Sequence, residues 1–280
     1  MKKAFLVLLA AVFLSTSVCA HAEGFALRSR VQSAVLIDGE TGGMLYGLHE
    51  DMHIYPASTT KILTVFLGLL LKDTEETVTI SQRAVRLPDD NAVRIGLVAG
   101  EQVRFGDLLQ ATLTQSGNDG AQAIAEAVSG SMDAFVDVMN AYAVAIGCTD
   151  THFSNPSGLH DEMHYTSARD AARIAFEAMQ SKEFREMAAV GRYTLPKTDK
   201  NAARSFSSHG RSFYENRQSQ HYYSGAMGIK TGYHSEAGYC FVAAAERNGK
   251  LLIAAVFGCK SYADCFEASS ALLDYGFSKK

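Results

Sequence analysis

The chain lacks a Cys-x-x-Cys pair, an excess of positive charge, any internal repeat or low-complexity segment and, past its first residues, any long apolar run. Each absence removes a class of function. Without cysteines at ligand spacing there is no case for a cysteine-bound structural metal. With 26 Lys and Arg against 30 Asp and Glu, a formal net charge of −4, there is no electrostatic case for nucleic acid as a partner. The apolar run at residues 4–14 is too short to span a bilayer, which takes about 20 residues, and polar Ser15-Thr16-Ser17 interrupts it.

What stands at the N-terminus is Met1-Lys2-Lys3, that apolar run, and Ala20-His21-Ala22, the layout of a secretory signal peptide over residues 1–22. Thr16-Ser17-Val18 before Cys19 lacks the residues that direct lipid attachment. Of 280 residues, loss of the first 22 leaves 258, enough for one large domain or two joined lobes over 23–280, and takes the formal charge from −4 to −6. The expectation is an exported, periplasmic or extracellular product with no stable membrane anchor and no C-terminal β-rich domain. Cys148, Cys240, Cys259 and Cys265 remain. In an oxidising compartment they allow three pairings, Cys259 with Cys265 being the first candidate, and the alternative is four small buried hydrophobes.

Residues 31–37 and 44–48 read as strands joined by the turn Asp38-Gly39-Glu40-Thr41-Gly42-Gly43. Residues 239–245 and 251–257 flank Arg247-Asn248-Gly249-Lys250, where Asn-Gly predicts a tight hairpin. Between these ends the pattern is helical. Residues 62–71 are apolar nearly all round, which predicts a buried helix, and 105–114, 119–128, 132–146, 167–179 and 181–189 follow, several opened by capping residues. The polar tract 197–220 reads as a surface connection before a strand at 227–231. The expected fold class is α/β (α+β): an antiparallel sheet built from both chain ends, flanked by helices, with a helical insertion lobe.

Three short strings carry chemistry: Ser58-Thr59-Thr60-Lys61, Ser116-Gly117-Asn118 and Lys230-Thr231-Gly232. Ser58 should lie at a helix N-terminus, whose unpaired N–H groups and positive potential favour negative charge on oxygen, with Lys61 on the same face. Taken singly, each string has an ordinary reading: a cap with a solvated lysine, a loop between helices, a strand end. Together, 58 and 114 residues apart and each in the setting its chemistry needs, they supply the inventory for acyl transfer through a serine ester. His160 and His164 have the spacing of a helical metal pair, but the glutamate is misplaced for His-Glu-x-x-His and Pro156 and Gly158 argue for a loop. No metal and no cofactor are expected.

With Tyr55-Pro56-Ala57 before Ser58, Asn155-Pro156-Ser157-Gly158-Leu159, His164-Tyr165-Thr166-Ser167-Ala168, and Tyr233 followed by Ala237-Gly238-Tyr239, the chain resembles the serine D-alanyl-D-alanine carboxypeptidases, the low-molecular-mass penicillin-binding proteins, over about residues 29–277. The resemblance implies a β-lactamase/DD-peptidase-like fold. It further implies that Ser58 attacks a terminal D-Ala-D-Ala bond of a peptidoglycan stem peptide, with β-lactams as covalent inhibitors. Lys61 would be the base, which requires shifting its pKa from about 10.4 toward 7–8, roughly 3–5 kcal/mol of environment. Ser116 would relay a proton to the leaving amine with Lys230 holding its hydroxyl. Asn118 would orient Lys61 and the substrate amide. Lys230 and Thr231 would bind the terminal carboxylate, Gly232 would let the substrate backbone approach, and the N–H groups of Ser58 and Tyr233 would form the oxyanion hole. Lys260 is a further candidate for carboxylate steering, against a solvated surface lysine.

Three other readings use the same residues. A class A β-lactamase needs a glutamate to activate water, and the expected Glu-x-x-x-Asn is absent: Glu162 is followed four residues on by Thr166. DD-endopeptidase action on cross-links is not separated from carboxypeptidase action by the sequence. A non-catalytic cell-wall binding module would have no need for the whole catalytic set.

Overall fold

The computed structural model describes residue 27 and residues 31–279; the expected signal peptide lies outside the described residues. Strand β1 (Ser33–Asp38) pairs antiparallel with β2 (Met44–Leu48) on one side and with β9 (Lys250–Cys259) on the other. Next to β9 run β8 (Gly238–Arg247) and then β7 (Ala226–His234), again antiparallel, giving the order β2-β1-β9-β8-β7. The sheet is thus built from both chain ends, and Asn248 and Gly249 turn the β8–β9 hairpin with φ of 53° and 81°, as Asn-Gly foretells.

Alternation along the strands places Ala34, Leu36, Ala243, Leu252 and Ala254 in one buried cluster and Val35, Ile37, Val242, Ile253 and Ala255 in the other. Helix α8 (Tyr262–Ser278) covers the first face with Leu272 and Leu273. Helices α1 (Lys61–Leu71) and α5 (Ala168–Gln180) cover the second. Burial of both faces is why β8 and β9 read as nearly unbroken apolar runs.

The second lobe packs α2 (Phe105–Gln115), α3 (Asn118–Ser129) and α4 (Met132–Ala145) around α1, with α6 (Lys182–Ala188) beside them. Ser131, Ser167, Ser181 and Ser261 cap helices by accepting from an amide three residues on. Two short ribbons complete it: β3 (Thr77–Thr79) with β4 (Gln102–Arg104), and β5 (Arg192–Leu195) with β6 (Arg204–Ser207).

Three expectations need correction. The tract 197–220 is more than a surface connection, because it contains β6 and helix α7 (Arg211–Tyr214), and Phe213 is fully buried between Tyr223 and Phe266. Helix α1 is buried only from Lys61 to Gly68, and Leu70 and Leu71 emerge half-exposed where it leaves the core. Strand β7 runs on to His234, so Lys230-Thr231-Gly232 lies inside the strand and not at its end. All four described cysteines are buried free thiols, Cys259 and Cys265 included.

Candidate active site

A 3-10 turn, Ala57–Thr60, carries Ser58 straight into α1, whose first residue is Lys61. Ala57 holds φ at 47°, a conformation costing a non-glycine residue about 1–3 kcal/mol. Three bonds stabilise the turn: Thr59 Oγ1 donates to the Pro56 carbonyl at 2.7 Å, Thr60 Oγ1 to the Ala57 carbonyl at 2.9 Å, and Thr60 Oγ1 meets His164 Nε2 at 2.8 Å. Gly158 closes against it, at φ +79°, where an added Cβ would stand 1.8 Å from the Ala57 carbonyl oxygen.

Lys61 is wholly buried, and its Nζ has three short contacts: Ser157 O at 2.6 Å, Asn118 Oδ1 at 2.9 Å and Ser58 Oγ at 3.0 Å. Burial, then the positive charge of Lys230, push its pKa well below the ordinary value, with the Asp119 carboxylate opposing them. An ammonium donates to all three oxygens. A neutral amine has two N–H groups, and two of the three partners are carbonyls that only accept, so its lone pair is left facing the one partner with a proton to give, Ser58.

Ser116 caps α2 in the left-handed region, φ 69°, and Asn118 opens α3. Asn118 is held from behind, its Nδ2 and its backbone N donating to the Val93 carbonyl at 3.1 and 2.8 Å. That carbonyl sits on the segment pinned by Asp119, a buried carboxylate accepting from Ile95 N, Leu97 N and Gly120 N at 2.9–3.0 Å.

Lys230 is 4% exposed, and burial draws its pKa down to about 7. Its Nζ donates to the Thr231 carbonyl at 3.0 Å. Among the described residues this is the hydrogen bond that Lys230 Nζ makes, and none joins it to the Ser116 hydroxyl. Gly232 faces the nucleophile turn: an added Cβ would lie 3.0 Å from Ser58 N and Pro56 O. Glycine is therefore favoured here by the close packing of the 3-10 turn on β7. Tyr233 follows, 53% exposed and packed on Tyr239.

The fold thus joins Ser58, Lys61 and Asn118 by hydrogen bonds, sets Lys230 near enough for its charge to act on Lys61, and lays Gly232 on the turn. Thr231 is buried in β7, and Lys260 is exposed just past β9 with no hydrogen bond or ion pair among the described residues. His164 is buried, its Nδ1 accepting from Ser154 N at 3.1 Å and its pKa lowered by burial to about 3, while His160 is exposed, so the two do not act as a pair. Sequence reasoning assigned no role to the Ser157 carbonyl, to Asp119 or to Val93. Asn155-Pro156-Ser157-Gly158 was the available signal, since Asn155 Oδ1 accepts from Ser157 N, Ser157 Oγ and Gly158 N at 2.8–3.0 Å, an Asx-type loop.

The sequence model of a peptidase family described as D-alanyl-D-alanine carboxypeptidase matches residues 20–261. D-alanyl-D-alanine carboxypeptidase DacF of Bacillus subtilis is 32% identical over 259 residues, covering 90% of this chain and 64% of the relative, so the chain spans less than two thirds of that relative's length. Among solved structures, a D-alanyl-D-alanine carboxypeptidase from Mycobacterium tuberculosis superposes with a TM-score of 0.82 at 27% identity, over 92% of this chain and 96% of its own. A Streptomyces DD-transpeptidase gives 0.79 at 30% identity, over 89% and 97%.

Proposed function

Because the chain belongs to the D-alanyl-D-alanine carboxypeptidase family, we propose that it is a serine DD-peptidase that removes the terminal D-alanine from peptidoglycan stem peptides and is acylated by β-lactams. The observation that carries this reading is the buried Lys61 amine, held by two carbonyls with its third contact on Ser58 Oγ at 3.0 Å.

In the mechanism, neutral Lys61 takes the Ser58 proton as Oγ attacks the D-Ala carbonyl carbon. The developing oxyanion is received by the N–H groups of Ser58 and Tyr233, worth about 3–4 kcal/mol each. The substrate lies along β7, the edge strand of the sheet, as an added strand. Its terminal carboxylate is held by Lys230 and Thr231, and the negative charge it brings favours the protonated form of Lys230. Collapse of the tetrahedral species breaks the C–N bond, the amine leaves with a proton relayed through Ser116, and water then hydrolyses the ester on Ser58. Asn118 orients Lys61 and the substrate amide.

Lys61 and Ser58 make no hydrogen bond to a carboxylate among the described residues, and the Ser157 carbonyl accepts from Lys61 Nζ at 2.6 Å. The Glu-x-x-x-Asn that a class A β-lactamase uses to activate water is absent from the sequence, which favours a long-lived adduct over β-lactamase turnover. Export rests on the N-terminal signal; among the described residues no helix is long and apolar enough to cross a membrane.

The test is D-alanine release from a pentapeptide ending in D-Ala-D-Ala, set beside cleavage of a cross-linked dimer and labelling by a fluorescent penicillin on a denaturing gel. We expect release, and a stable adduct, both lost in Ser58→Ala. Preferential cleavage of the dimer reassigns the chain as an endopeptidase, fast penicillin turnover as a β-lactamase, and failure to acylate as a binding module.

A further inference from the structure

Beside the site, three side chains that the reaction leaves unused converge: His160, His234 and Glu236. One ligand atom from each lies within 4.8 Å of the others. His234 ends β7, Glu236 sits in the turn to β8, and His160 follows the Asn155 loop, so only the fold brings them together. The sequence pairs His160 with His164 by spacing. The fold buries His164 and sets the His160 ring 5.1 Å from that of His234 instead.

The dimensions suit a metal ion. His234 Nδ1 and Glu236 Oε2 are 3.1 Å apart, and ligand atoms about 2.0–2.2 Å from a tetrahedral zinc lie about 3.3–3.5 Å from one another. From the 4.8 Å limit His160 has to close by up to about 1.5 Å to meet that geometry, which side-chain rotation supplies because His160 and Glu236 are exposed. The ligands are also oriented from behind, as metal-bound groups are. Ser235 Oγ donates to Glu236 Oε2 at 2.7 Å, and the rings of Tyr55 and His160 pack nearly at right angles with centroids 4.9 Å apart, while Ala237 N donates to His234 Nδ1 at 3.2 Å, a bond that a metal on that nitrogen displaces.

We propose that His160, His234 and Glu236 form a binding site for a divalent transition metal of zinc's preference, next to Tyr233 and tied through Tyr55 to the Ser58 turn. Two imidazoles with one carboxylate select zinc, or a cation of like preference, over the oxygen-seeking calcium and magnesium. Three protein ligands leave a fourth position for water. A bound ion clamps the loop at His160 to the β7–β8 turn.

Calorimetric titration of Zn²⁺ into the metal-free full chain tests this, with the visible spectrum of the Co²⁺ form as a report on geometry. We expect saturable binding of one ion per chain, tetrahedral Co²⁺ bands, and affinity weakened about 10-fold or more in His160→Ala and in Glu236→Gln. Both replaced side chains are exposed, so each variant should unfold as the parent does without metal, and the parent alone should gain stability with zinc. Absence of saturable binding overturns the proposal, and so does undiminished affinity in both variants, which would place the ion on other groups such as the cysteines.

Discussion

Lys61 and Lys230 are two buried amines in the candidate site, and the proposed mechanism asks opposite charge states of them. As the proposed base Lys61 acts when neutral, so the second-order rate of acylation by penicillin should rise as pH climbs through its depressed pKa. In its proposed role on the substrate carboxylate Lys230 acts when charged, so the same rate should fall as pH passes about 7. The profile should be bell-shaped for the free enzyme, with the descending limb moved to higher pH at saturating substrate, where a bound carboxylate favours the Lys230 cation. A flat profile between pH 5 and 9 would remove the two lysines from these roles. Stability follows the opposite logic. With a pKa of about 7 folded against an ordinary 10.5, Lys230 binds fewer protons in the folded chain, so its contribution to stability rises with pH across that window. Below pH 7 the charged form is a burden, and Lys230→Met should stabilise the chain by about 1–4 kcal/mol at pH 6 while impairing acylation. Urea unfolding at pH 6 and pH 10 measures it: the gain should shrink at the higher pH, and a gain equal at both would contradict the assignment.

At the scale of elements, what was legible followed from local chemistry. The β8–β9 hairpin is written in Asn248-Gly249, the helix starts in Ser131, Ser167 and Ser181, and the sheet's membership in the apolar runs near both ends. The meeting of Ser58, Lys61 and Asn118 was legible for a different reason: their two strings need a helix start and a turn between helices, and those settings could be read. What could not be read depends on distant partners. The tract 197–220 looks like solvated loop because its residues are polar, yet it is pinned through Glu101, which is 0% exposed and accepts from Thr198 Oγ1 and Asn201 Nδ2 at 2.8 and 2.9 Å and pairs with Arg204. Neither β6 nor its pairing with β5 has a local signal as strong as that buried carboxylate. Glu101→Gln should therefore cost about 3–5 kcal/mol, since it strands the Arg204 guanidinium, and Arg204→Met in the same chain should recover part of it. Urea titration of the single and double variants gives the coupling, and simple additivity would show that the pair does not organise the tract. Ser157 was missed for a related reason: a main-chain carbonyl carries no residue type to announce it.

At the scale of the whole molecule, the site draws on segments near residues 58, 118, 157 and 230, and the strand bearing Lys230 belongs to a sheet whose centre joins the two chain ends through Leu36 opposite Ala254. No single lobe holds a complete set: the helical lobe supplies Ser116 and Asn118, the sheet supplies Lys230 and Gly232, and α1 connects them by packing against both. Pairings this far apart in sequence form late, since loop closure must precede any reward from the contact. The nucleophile turn adds to the dependence, because Gly158 packs on the Ala57 carbonyl and His164 bonds Thr60 Oγ1 from another segment. Acylation competence should therefore be a reporter of global folding. Followed across a urea titration, capacity to form the penicillin adduct and the far-ultraviolet circular dichroism should fall at the same denaturant concentration, as one cooperative transition. Loss of acylation well before the dichroism changes would mean that the Ser58 turn opens as a local unit. In that case the Gly158 and His164 contacts, rather than the shared sheet, would set the stability of the reacting hydroxyl.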